Sequence, residues 1–338
     1  MELLIAIIVL SLLFDYINGF HDAANSIATI VSTKVLTPFQ AVLWAAFFNF
    51  TAFFIAKYII GEFGIANTVS KTVFEPYITL PIILAGVIAA IIWNLATWWL
   101  GIPSSSSHTL IGGFVGAAVM ANGFEAIHSV VIIKIASFIF LAPIIGMILS
   151  LLFTTAVLHV CKKAHPYRAE AWFKKLQLVS SALFSIGHGL NDSQKVMGII
   201  AAAMIAAHPL GLGLGIESID DLPNWVAFSC FTMISLGTMS GGWKIVRTMG
   251  TRITKVTPME GMIAESVGAL TLYLTEYLKI PVSTTHTITG AIIGVGATKR
   301  LSAVRWGITK SLLVAWILTI PVSALLAAII YSIELLFM

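Results

Sequence analysis

Long apolar runs broken by short polar ones recur along the chain, at 3–14, 39–60, 82–100, 129–160, 178–207, 225–240, 261–278 and 306–333. The hydrocarbon core of a bilayer takes about 20 apolar residues of helix. The pattern therefore predicts an all-α polytopic membrane protein. The first run is expected to stay as a helix, because Glu2 precedes it with no Lys or Arg and no small-residue cleavage site follows Leu13.

The polar interruptions give an orientation. The longest, "CKKAHPYRAEAWFKKLQ" at 161–177, sets Lys162, Lys163, Arg168, Lys174 and Lys175 against Glu170. Basic loops stay on the cytoplasmic side, and Trp172 with Phe173 suggests an amphipathic helix lying on the inner surface. "GWKIVRTMGTRITKV" (242–256) and "TKRLSAVR" (298–305) are also basic and expected inside; "GIESIDD" (215–221) and the tail with Glu334 are acidic and expected outside. Counted from that anchor, 1–160 and 178–338 each make five net crossings, joined by a cytoplasmic amphipathic linker at 161–177, with both termini outside. An odd number of crossings sets two similar halves antiparallel.

The halves are similar. "GFHDAAN" (19–25) aligns with "GLNDSQK" (189–195), and "IPSSSSHTLIGG" (102–113) with "IPVSTTHTITGA" (280–291). The order is kept, and 83 residues separate Asp22 from Ser105 where 91 separate Asp192 from Ser283. The expected organisation is two inverted-topology repeats with broken helices and re-entrant hairpin segments. A further echo, "TKVLTP" (33–38) and "TKVTP" (254–258), falls at different places within the repeats and is not part of the duplication.

Composition narrows the class. The 338 residues are 58% hydrophobic and 10% charged, against about 25% charged in soluble domains. The net charge of +4 reads as topology, since no basic cluster with interleaved aromatics offers a nucleic-acid face. Cys161 and Cys230 lie far apart and suggest neither a disulfide framework nor a thiolate metal site.

The repeated motifs carry the chemistry. Gly19 and Gly189 are expected to break helices, with an Asp three residues beyond each. In the second motif a proline followed by hydroxyls starts a new helix, and Gly112, Gly113, Gly116 and Gly290, Gly294, Gly296 allow close packing behind it. A helix start presents free N–H groups and about half a positive charge. With Ser105, Ser106 and Ser107 on one side and Ser283, Thr284 and Thr285 on the other, it makes a cradle for a tetrahedral oxyanion such as phosphate. A lone hydroxyl run would read as a helix cap; an inverted pair reads as a two-sided clamp. Lys195 adds a full charge.

Asp22 and Asp192 would repel an anion. Bound cations resolve this, and Na⁺ is a hard ion that takes oxygen ligands. Asp22, Asn25 and Asp192, with the hydroxyls of Thr109 and Thr287, Glu265 and unwound carbonyls, form the candidate Na⁺ set. The alternatives are a protonated Asp, an Asp accepting from a phosphate O–H, or a structural Asp192–Lys195 ion pair, which leaves Asp22 unpartnered. His108 and His286 are expected to orient the helix starts by hydrogen bonding, with carriage of coupled protons the alternative.

On these residues the chain resembles the inorganic phosphate transporter family of sodium- or proton-coupled cotransporters. "GFHDAANSIAT" and "GLNDSQKVMGI" are similar to its two half-signatures, and "IIWNLATWWLGIPSSSSHTLIGG" and "LKIPVSTTHTITGAIIGVG" to its paired Pro-Ser-Ser/Thr-His segments. "SGGWKIVRTMGTRITKVTPMEG" resembles its basic inner loop. Phe20, His21 and Asn49 depart from the pattern, the last where the family often has a glutamate; Glu265 keeps the second-half acid. The resemblance implies a homodimeric transporter of the cell's inner (plasma) membrane, moving phosphate with a cation by an elevator-like or rocking motion.

The expected function is secondary active import of inorganic phosphate with Na⁺, needing no cofactor and catalysing no reaction. A proton-coupled symporter of phosphate, metal phosphate, sulfate or arsenate is the alternative. An intramembrane Ser–His hydrolase would need one asymmetric site with an orienting third group, and the runs here are mirrored. No G-x-x-x-x-G-K-[ST] loop supports ATP-driven transport.

Overall fold

The computed structural model describes residues 1–212 and 215–337. Among them are twelve α-helices: α1 (Glu2–Ser32), α2 (Pro38–Ile55), α3 (Gly64–Ser70), α4 (Leu80–Leu100), α5 (Ser106–Asn122), α6 (Ser129–Val160), α7 (Pro166–Ala207), α8 (Asn224–Ser240), α9 (Trp243–Arg247), α10 (Pro258–Tyr277), α11 (Thr284–Lys299) and α12 (Trp306–Glu334). Extended pairing among the described residues is limited to one bridge, Val73 with Ile127. Five helical stretches are long and apolar enough to cross a membrane: Glu2–Ser32, Pro38–Ile60, Leu80–Leu100, Ser129–Lys163 and Trp306–Glu334. α7 is longer, at 42 residues, but turns Ser181, Ser185, His188, Asp192 and Lys195 into the interior.

Local chemistry sets the helix starts. Thr37 with Gln40 and Thr257 with Glu260 form capping boxes, each followed by a proline at the first helical position. These are the two "TKV…TP" echoes, and they open α2 and α10, which hold different places in the fold.

α6 and α12 show how the bilayer-facing layer is made. α6 exposes Ile133, Phe140, Ile144, Ile148 and Leu152 while burying Ser150 and Thr154, and α12 exposes Val314, Ile317, Leu318, Leu325 and Ile329 while burying Thr319 and Ser323. Apolar outside and small or hydroxylic inside suits helices packing in lipid, where association rests on close contact and hydrogen bonds. Ser150 Oγ donates to the Ala291 carbonyl of α11 at 2.9 Å.

The packing is reciprocal. α5 lies on α12 as α11 lies on α6, and α1 lies on α8 as α7 lies on α2. α1 and α7 run antiparallel, since Thr33 bonds Gln177 while Asp22 lies beside His188.

Two expectations are corrected. α1 and α7 run unbroken through Gly19 and Gly189. The glycines serve contact instead: a Cβ on Gly19 would meet the Ile234 carbonyl oxygen, and one on Gly189 would lie 2.6 Å from the Asn49 carbonyl oxygen. The chain does break before α5 and α11, where Gly101 (φ 68°) ends α4 and Lys279 (φ 56°) follows α10. The 161–177 stretch is not a separate surface helix either. Cys161–Lys163 makes one 3₁₀ turn, and Pro166 opens the helix that continues to Ala207.

Candidate functional site

The first residue of each hydroxyl run serves its own helix. Ser105 Oγ accepts from the His108 N–H and Ser283 Oγ from the His286 N–H, both at 3.2 Å. They are N-caps, each worth about 1 kcal/mol to its helix. Thr109 and Thr287 donate back to the Ser105 and Ser283 carbonyls at 2.9 and 3.0 Å, and neither hydrogen-bonds Asp22 or Asp192. The residues that reach the centre are Ser106, Ser107, Thr284 and Thr285.

There Asp22 of α1 and Asp192 of α7 meet over the start of α11. Thr284 Oγ1 lies 3.3 Å from Asp22 Oδ2 and 3.3 Å from Asp192 Oδ2. Its single hydrogen serves one carboxylate at a time. Asn25 Nδ2 donates to Thr284 Oγ1 at 3.1 Å and to Thr285 Oγ1 at 2.9 Å, and Ser106 Oγ donates to Asp22 Oδ1 at 3.2 Å. Lys195 Nζ uses its three donors on Ser107 Oγ at 2.5 Å, Asp192 Oδ1 at 2.6 Å and the Val282 carbonyl at 2.6 Å. Each of these side chains is 5% exposed or less, so the clamp is closed to solvent. One ammonium faces two carboxylates, a formal balance of one negative charge.

Imidazoles flank both carboxylates. His21 Nδ1 lies 2.7 Å from Asp22 Oδ1, and its Nε2 lies 3.1 Å from Thr97 Oγ1. His188 Nδ1 lies 3.1 Å from Asn49 Oδ1, and its Nε2 comes within 3.2 Å of Asp192 Oδ2 without hydrogen-bond geometry. Asp22, His188 and Asp192 each offer a ligand atom, all within 4.8 Å of one another. Because α1 and α7 are unbroken, their carbonyls around Asp22 and Asp192 are engaged in helix bonds. The unwound carbonyls expected there do not exist; Val282, before α11, supplies one outside any helix, and it accepts from Lys195 at 2.6 Å and from Ser107 at 3.4 Å.

Sequence reasoning passed over Thr97, His188 and Val282 and treated His21 only as a departure from a pattern. His188 was recoverable, standing four residues before Asp192 on the same helical face. Val282 acts through its backbone, and side-chain identity carries no signal for that.

Glu265 belongs to a neighbouring cluster. Its carboxylate accepts from Thr29 Oγ1 at 2.6 Å, Ser180 Oγ at 2.6 Å and Gln177 Nε2 at 3.1 Å. Three donors satisfy it one to two turns below Asn25. His108 and His286 face each other with ring centroids 5.1 Å apart, and His286 packs on Trp316 at 4.1 Å. Neither ring hydrogen-bonds a helix start, so they join the two helix starts by ring contact instead of the expected hydrogen bonds. A cavity of about 1270 Å³, lined by residues including Lys57, Glu62, Lys71, Glu217 and Lys279, contains none of the clamp residues.

The chain as a whole has relatives among known proteins. The profile of the phosphate transporter family matches residues 18–327. A Rhizobium meliloti (strain 1021) protein described as "Probable low-affinity inorganic phosphate transporter" is 49% identical over 97% of this chain and 96% of its own. A Bacillus subtilis (strain 168) protein of the same description is 44% identical over 98% and 97%. A solved structure described as "The sodium-dependent phosphate transporter" has the same fold, with a TM-score of 0.87 over 100% of both chains at 24% identity.

Proposed function

The chain belongs to the phosphate transporter family, and we propose that it carries inorganic phosphate together with Na⁺, both held between the starts of α5 and α11 and the middles of α1 and α7. The carrying observation is the charge balance around Thr284, which touches Asp22 and Asp192 at 3.3 Å each while Lys195 alone opposes them. A unit of like charge about 4 Å away at an effective dielectric near 20 opposes an anion by about 4 kcal/mol. One bound cation cancels that charge and a second reverses it. Phosphate oxygens then take over the donors that Ser107 and Lys195 now direct at Val282 and Asp192.

In this reading the halves 1–160 and 178–338 are inverted repeats with both termini outside the plasma membrane. The reciprocal pairing of α5 with α12 and α11 with α6, and the antiparallel run of α1 and α7, support it. The sealed clamp is the occluded stage of alternating access. The sodium dependence in the description of the solved neighbour is in line with the choice of ion.

Proton coupling is the second reading, favoured by the imidazole beside each carboxylate. Uptake of labelled phosphate into proteoliposomes under separately imposed gradients divides the two. Accumulation driven by inward Na⁺ at equal pH is expected. Uptake that ignores Na⁺ and follows the pH difference would sink the sodium reading and leave the phosphate site standing.

A further inference from the structure

Ser11, Asp15, Asn18, Asp22, Asn25 and Thr29 follow one another along α1 in steps of four, three, four, three and four, and all are buried. Such steps keep residues on one helical face. They form a polar stripe that passes through the clamp and continues beyond it at both ends.

The two ends differ. Past the clamp, Thr29 is bonded to Glu265. Before it, Ser11 Oγ, both carboxylate oxygens of Asp15 and Asn18 Oδ1 have no hydrogen-bond partner, although Ser11, Asp15 and Asn18 are 1%, 0% and 3% exposed. Asp15 is also within electrostatic reach of Asp192 across the helix interface, a second carboxylate already paired with Lys195. A buried carboxylate whose one neighbouring donor is the Asn18 side chain, held outside good hydrogen-bond geometry, and which lies near another carboxylate, is costly in a membrane interior. Nothing in the clamp as described above uses it.

The four unpartnered atoms are all oxygens, and they lie on consecutive turns. An all-oxygen set with one carboxylate suits a hard, weakly charged cation and offers nothing to a soft transition metal. We propose that Ser11, Asp15 and Asn18 form a Na⁺ site outside the clamp, a staging position seven residues along α1 from Asp22, or about 10 Å at the helical rise. An ion held there neutralises Asp15 and lies next in line for Asp22 and Asp192. The proposal deepens the sodium-coupled reading and rests on it.

The test is equilibrium binding of ²²Na⁺ to the purified full-length protein at saturating phosphate, for wild type and Asp15→Asn. The variant is expected to bind one Na⁺ fewer per chain, to keep its phosphate affinity within a few-fold, and to show a shallower Na⁺ dependence of uptake. Without Na⁺ it is expected to melt at or above the wild-type temperature, since an unpaired buried charge is gone, while losing part of the stabilisation that added Na⁺ gives. A wild type that binds Na⁺ and an Asp15→Asn variant that binds as much overturn this site alone; Asp15 is then simply protonated. A wild type that binds no Na⁺ overturns the coupling reading and the site together. Should Asp15→Asn fail to fold, Ser11→Ala and Asn18→Ala keep the carboxylate and are expected to weaken Na⁺ binding several-fold, and unchanged affinity in both overturns the assignment.

Discussion

Lys195→Met is the sharpest perturbation of the clamp, because the ammonium it removes has three named partners and almost no solvent. The local formal balance goes from one negative charge to two, with Asp192 left buried and unpaired. Losing a unit of favourable charge about 4 Å from an anion, at an effective dielectric near 20, weakens its binding by about 4 kcal/mol, or roughly a thousandfold. Removing one partner of a buried ion pair also costs about 3–5 kcal/mol of stability, so lost uptake alone would be ambiguous. Asp192→Asn with Lys195→Met separates the two effects. The double variant restores the local balance to one negative charge, and its thermal unfolding in detergent is expected to recover most of the single variant's loss. Its phosphate uptake in proteoliposomes is expected to stay far below wild type, because the donor to the anion has not returned. A double variant that regains both stability and near-normal KM for phosphate would refute the assignment of Lys195 to the substrate.

Ser105→Ala and Ser107→Ala differ by two positions and are expected to behave differently. The first removes an N-cap and costs about 1 kcal/mol in thermal unfolding with little change in KM; the second removes a partner of Lys195 and is expected to raise KM for phosphate. Gly290→Val places a side chain against the Pro143 backbone of α6, whereas Gly307→Val meets nothing within 4 Å. Overpacking of about 1–3 kcal/mol should lower the melting temperature of the first and leave the second unchanged, and equal melts would contradict the close contact of α11 with α6.

Much of the fold was legible because it is written in periodicity and in repeated polar words. The starts of α5 and α11 follow from a proline and a run of hydroxyls, and the clamp follows from finding those words twice. Gly19 and Gly189 misled for a physical reason. Glycine breaks a helix in water but in a membrane interior often marks where another backbone comes close, and sequence alone does not distinguish the two. Within the runs, Ser105 and Ser283 look like their neighbours, yet a turn of backbone geometry assigns them to capping. Asp15 was hidden by its surroundings, since one acid among Leu12, Leu13, Phe14 and Tyr16 reads as the end of an apolar stretch.

Asn25 and Lys195 hold corresponding places in the two halves, three residues after Asp22 and Asp192. If the halves are inverted repeats as proposed, then making them chemically identical would let an exchange of their conformations turn an outward-facing protein into an inward-facing one at no change in free energy. The resting populations would then be equal. A neutral amide on one side and an ammonium on the other end that degeneracy, so on this reading the empty carrier is expected to have a preferred direction before any gradient is applied. Making the pair alike, with Asn25→Lys or Lys195→Asn, shifts that preference, and distances between labels on α5 and α12 in the ligand-free protein would register the shift.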